Sequence, residues 1–168
     1  MLKRFIVKKN EAAILFRDGD FERILPAGRH HFLDCMGRLK VQTWPLDSAL
    51  NDVDLANYLR SREPELTRQH FEIIDLDEDE AGLRFEDNIL AEVLPPASRR
   101  LIWKGAVTHR LEKIALREVM ELPAVLVKQL TQTSLRARPI LGLQAILMVM
   151  VPAYHVGVLK VDGKVERL

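Results

Sequence analysis

Apolar residues 12–16, Ala-Ala-Ile-Leu-Phe, run up to Arg17 and predict a β-strand. Asp18-Gly19 follows. Both residue types accept the positive φ that a type I′ hairpin turn requires at its two central positions. Such a turn pairs Arg17 with Asp20, Phe16 with Phe21 and Ile14 with Arg23. Ile14, Phe16, Phe21 and Leu25 then share one core-facing side. Pro26-Ala27-Gly28 signals the end of the second strand. Further strands are expected at 31–33 and 39–43, and a short one at 4–7.

The pattern recurs. A shift of 144 residues lays 7–24 on 151–168 with six identities, among them Leu15/Leu159, Asp18/Asp162, Gly19/Gly163 and Arg23/Arg167. Chance gives about one match in 18 at average composition. A shift of 69 lays Glu11, Ala12, Phe16, Asp18, Leu25 and Pro26 on Glu80, Ala81, Phe85, Asp87, Leu94 and Pro95. The middle turn is then Asp87-Asn88, with Leu83, Phe85, Leu90 and Leu94 on the core side. Strands are expected at 71–76, 100–103 and 107–111. The third copy offers Val158, Lys160 and Val165 for that side, with an entering strand at 146–151. It stops before any counterpart of Leu25-Pro26-Ala27-Gly28, and reads as the opening of a module belonging to a longer product.

Helical spacing appears between the copies. Val53, Ala56 and Leu59 recur at helical spacing, as do Leu55 and Leu59, and Pro64 restarts a helix, since proline fits a first helical turn. Pro123 opens a second helical stretch over 124–136, with Leu126, Val127 and Leu130 as its stripe. Hairpins dominate and βαβ crossovers are missing from the pattern. The expected class is therefore α+β, with repeated antiparallel β-hairpin modules and intervening helices. The divisions are 1–70, 71–145 and 146–168.

Composition narrows the function. The chain has 168 residues, with 25 Lys+Arg against 24 Asp+Glu and a net charge of +1. A near-neutral chain lacks the footprint of a nucleic-acid binder. One cysteine, Cys35, excludes an intrachain disulfide framework. The most apolar run, 140–151, has 12 residues, well short of the about 20 of a spanning helix, and reads as a buried core element.

No motif carries catalysis. His30, His31 and Cys35 suit zinc or a nucleophile by type, but their spacing matches no ligand or dyad pattern, and neighbouring strand residues face opposite ways. Asp75, Asp77, Glu78, Asp79 and Glu80 form an acidic run without the turn glycine of a calcium loop, and read as a solvated approach to a strand. Lys3, Arg4, Lys8 and Lys9, interleaved with Leu2, Phe5 and Ile6, fit either an anionic membrane surface or an edge strand guarded by lysines. Ser98, Arg99, Arg100 and Lys104, and Arg136 with Arg138, suit phosphates but lack interleaved aromatics. No catalytic, cofactor-binding or metal residue is assigned.

Residues 151–159, Val-Pro-Ala-Tyr-His-Val-Gly-Val-Leu, and 161–168, Val-Asp-Gly-Lys-Val-Glu-Arg-Leu, resemble the opening hairpin of the SPFH (band 7) domain. They are more similar still to that of bacterial slipins, the stomatin-like branch. Some slipins carry a longer N-terminal region, an arrangement that the first two modules match. The resemblance implies a non-enzymatic, membrane-associated scaffold without cofactor or catalytic residues. It implies homo-oligomers in the full-length form, and contacts with membrane proteins or proteases rather than nucleic acid. The expected location is the cytoplasmic side of the membrane, peripheral, with this fragment soluble. Against that family, no counterpart of the N-terminal membrane hairpin of stomatins is expected within residues 1–168. The alternatives are a free-standing cytoplasmic β-rich adaptor, and an enzyme built around His30, His31 and Cys35.

Overall fold

The computed structural model describes residues 2–105, 107–117, 122–131 and 139–167. The fold is α+β, with twelve strands and three α-helices among those residues. The first module runs β1 (Leu2–Val7), β2 (Glu11–Arg17), β3 (Asp20–Leu25), β4 (Gly28–Leu33) and β5 (Leu39–Pro45). Helices α1 (Val53–Arg62) and α2 (Pro64–His70) lead to β6 (Phe71–Asp75), β7 (Glu80–Glu86), β8 (Ile89–Leu94), β9 (Arg99–Trp103) and β10 (His109–Ala115). Helix α3 (Ala124–Thr131), a 3₁₀ turn at Leu143–Ala145, and strands β11 (Leu159–Val161) and β12 (Lys164–Arg167) follow.

Both modules have one topology. The first strand pairs antiparallel with the fourth, giving the ribbons β1–β4 and β6–β9. The second strand lies between the third and the fifth, giving the sheets β3-β2-β5 and β10-β7-β8. The tight turns form because their residues reach positive φ: Asp18 and Gly19, Asp87 and Asn88, Asp162 and Gly163.

One feature of the hairpins differs from the sequence reading. A β-bulge shifts the register between Leu15 and Phe16, so Ile14 lies opposite Ile24 rather than Arg23. Equivalent bulges lie at Arg84/Phe85 and Leu159/Lys160, at the same place in all three hairpins. The extra residue turns the far end of the second strand over. Leu25 and Leu94 therefore leave the face of Ile14, Leu83, Phe85 and Leu90 and join other cores.

The sheets are buried on both sides, which is why 12–16 is apolar without a break. Val7, Ala13, Leu15, Leu25 and Leu39 fill the space between the first ribbon and its sheet. Ile74, Leu76, Leu94 and Ile102 do the same in the second module. There the ribbon comes so close that a Cβ at Gly82 would meet Leu76 Cδ1 at 2.9 Å. The other face of the first sheet, with Ala12, Ile14 and Trp44, packs on Leu55 and Leu59 of α1 and on Phe71, Leu101 and Trp103 of the second ribbon. The outer face of the second sheet packs on Leu130 of α3 and on Ile140.

Local chemistry sets the helix joint. Asp52 caps α1 by accepting from the Leu55 amide at 3.0 Å. Pro64 opens α2 as expected. Buried Thr67 donates from Oγ1 to Leu59 O and Glu63 O, both at 2.7 Å. Arg60 Nη2 ties α1 to the second ribbon, donating to Ile74 O at 2.9 Å and Arg100 O at 3.0 Å.

Three other expectations change. The fifth strand of the second module is His109–Ala115, not 107–111. No strand forms at 146–151, and β11–β12 is a separate two-stranded sheet. The run 140–151 is not a buried core element. Ile140 is buried, Leu143 and Ile146 pack partly against the same core, and Leu147, Met148, Val149 and Met150 are exposed. Helix α3 is described over Ala124–Thr131, and the rest of the expected stretch to 136 lies outside the described residues.

Asp34, in the β4–β5 loop, ties the first ribbon to its sheet. Its carboxylate accepts from Lys3 Nζ at 2.6 Å and from the Arg38 and Leu39 amides. The Lys3 contact, opposed by desolvation and helped by the two amides, holds this carboxyl well below the usual carboxylate range. A carboxyl lowered on folding contributes stability in full above the ordinary value of about 4, and loses it as pH falls toward the folded value. Asp34→Asn is expected to melt lower than wild type at neutral pH. The gap should close as pH drops below about 4. Paired thermal melts across that range check it, and a gap of constant size refutes it.

Candidate interaction surfaces

The residues singled out by type do not converge on a reaction centre. His30 is half-buried, with a ring nitrogen 2.8 Å from Pro26 O and its ring stacked on Phe32. His31 and Cys35 are exposed. No group of three metal-ligating side chains occurs among the described residues. Three members of the acidic run are held in ion pairs: Asp75 with Arg99 at 3.0 Å, Asp79 with Arg117 at 3.1 Å and Glu80 with Lys113 at 2.7 Å. The basic group of the second module is engaged as well. Arg100 pairs with Glu92 at 2.7 Å, and Lys104 donates to Arg68 O at 2.8 Å. Arg136 and Arg138 lie outside the described residues.

The basic N-terminal strand behaves differently. In β1–β4, Leu2 lies opposite Leu33, Arg4 opposite His31, and Ile6 opposite Arg29. These six residues share the side of the ribbon turned away from the first sheet, because strand side chains alternate and Phe5, Val7 and Phe32 face the other way. Lys3 also points inward, to Asp34. Arg4 and Arg29 form no salt bridge among the described residues. Beside this face, a cleft of about 410 Å³ between the end of β3 and β4 is lined by Arg23, Arg29, His31 and Phe32, with no acidic residue. Arg23 lies over the Phe32 ring at 5.4 Å.

The repeat shows what such a face does elsewhere in the chain. The places of Leu2, His31 and Leu33 are taken in the second module by Phe71, Leu101 and Trp103. Those three are essentially solvent-free, packed against α1 and the first sheet. Leu2 is 63% and Leu33 79% exposed. The third hairpin is open too: Val158 and Val165 are exposed, beside Tyr154 and Val156.

The sequence signalled the basic residues of β1. It did not signal Arg29, His31 and Leu33 as their neighbours, since pairing of the first strand with the fourth leaves no local trace. No protein-family model matches the chain, and neither a curated protein nor a solved structure matches it significantly. No helix among the described residues is long and apolar enough to cross a membrane.

Proposed function

We propose that the chain belongs to a non-enzymatic, membrane-associated scaffold of slipin or stomatin type, which acts through protein–protein contacts. The observation that most supports this is the third hairpin. The residues that resemble the SPFH opening repeat the bulged type I′ geometry of the first two modules, and their apolar side chains Val158 and Val165 stand uncovered. Uncovered apolar surface of this kind marks contact sites. The candidate chemical residues are either dispersed or ion-paired. The scaffold holds modules in line and offers these faces to partners on the cytoplasmic side of a membrane.

Fractionation of the source cells, followed by cross-linking, tests the reading. The protein is expected in the membrane fraction, cross-linked to itself or to a membrane protein. Recovery as an uncross-linked soluble species would leave the free-standing adaptor as the better account.

A further inference from the structure

We propose that the outward face of the β1–β4 ribbon docks on an anionic bilayer, with Arg23, Arg29 and His31 in the adjoining cleft taking lipid phosphates. This rests on the membrane-associated reading and names the surface and the partner.

Three observations carry it. The first is the repeat itself: the counterparts of Leu2, His31 and Leu33 in the second module are contact residues, covered in the chain by α1 and the first sheet. The second is charge. His31 stands where the second module has covered Leu101, Arg4 and Arg29 stand where it has exposed Ile73 and the ion-paired Arg99, and no acidic residue stands on the face or lines the cleft. In a chain with a net charge of only +1 this is a local concentration of cations without counter-charge. The third is the interleaving of those cations with exposed Leu2, Ile6 and Leu33.

An apolar helix face like that of Leu55 and Leu59 is a poor occupant, because two arginines would lose water without gaining a counter-ion. A plain solubilising cap needs no leucine at such exposure. A bilayer interface satisfies both kinds of residue at once. Guanidinium groups sit among phosphates, while leucines reach the headgroup–acyl boundary. Nucleic acid would use the cations but leave the leucines in water.

Flotation with vesicles of phosphatidylcholine, alone or mixed with phosphatidylglycerol, tests this on the purified chain. Wild type is expected to float with the anionic vesicles only, and less so as salt rises. Arg4→Gln and Arg29→Gln should each weaken partitioning about fivefold, and Leu33→Ser should weaken it as well. All three side chains are exposed, so circular dichroism and melting should be unchanged. Undiminished flotation of the arginine variants, or equal flotation on neutral vesicles, overturns the proposal. So does binding to a DNA duplex without flotation. Failure of wild type to float overturns it too. If the protein is still found in the membrane fraction of its cells, the scaffold reading then stands on protein contacts alone.

Discussion

Trp103→Ala is expected to cost about 3–5 kcal/mol of unfolding free energy, near the upper end for a large-to-small change in a core. The side chain is 1% exposed, with its ring 4.2 Å from Phe71 and 6.2 Å from Trp44. It reaches from the second ribbon into a core that also contains Ile14 of the first sheet and Leu55 and Leu59 of α1. Three elements lose their common contact, and none can close the gap without leaving another. Trp103→Phe keeps a ring on Phe71 and should lose less than half as much. The indole nitrogen is buried without a hydrogen-bond partner, so its removal sacrifices no bond. Urea unfolding followed by fluorescence of the remaining Trp44 measures both variants. A loss under about 1.5 kcal/mol for the alanine would show that this ring does not hold the two modules together.

A second large effect lies in the hairpin of the second module. Arg84 and Glu92 are both buried and form a cross-strand pair, with Arg84 Nε 2.9 Å from Glu92 Oε2. Arg84 Nη1 also meets Glu86 at 2.6 Å, and Glu92 accepts from Arg100 at 2.7 Å. Removing one member leaves buried charge with too few partners, and Arg84→Ala is expected to cost about 3 kcal/mol or more. The first module shows another solution at the same place: the counterpart of Arg84 is Leu15, fully buried in an apolar core. Arg84→Leu combined with Glu92→Leu should therefore be nearly neutral, or more stable than wild type. Chemical denaturation of the single and double variants decides it. A double variant as unstable as Arg84→Ala would show that the ionic network itself, rather than its disruption, sets the stability.

How far the sequence foretold the fold depends on the range of each cause. The turns were legible because Asp-Gly and Asp-Asn carry their own backbone preference. All three reach positive φ at both central residues. The helix restart at Pro64 was legible for the same local reason. The bulges were not, since no residue type announces them and they arise from how two strands twist together. That one slip moved Leu25 and Leu94 to a different core. The unbroken apolar run at 12–16 carries a signal for burial on both faces, since a strand with one buried face would alternate.

Residues 147–150 show the opposite failure. Their composition suits an interior, but an interior needs neighbours, and only Ile140, Leu143 and Ile146 of that run reach the core around Leu130. For the candidate surface, β1 gave half of the residues by simple alternation. The remainder came from strand pairing across more than twenty residues of chain.

Ala12, Ile14 and Trp44 of the first module, Leu55 and Leu59 of the connector, and Phe71, Leu101 and Trp103 of the second module bury one another. The unit that repeats in topology is therefore not the unit that unfolds. Separating the modules at the connector would strip the second ribbon of its cover and expose two tryptophans and a phenylalanine together. The first two modules are therefore expected to unfold together rather than one by one.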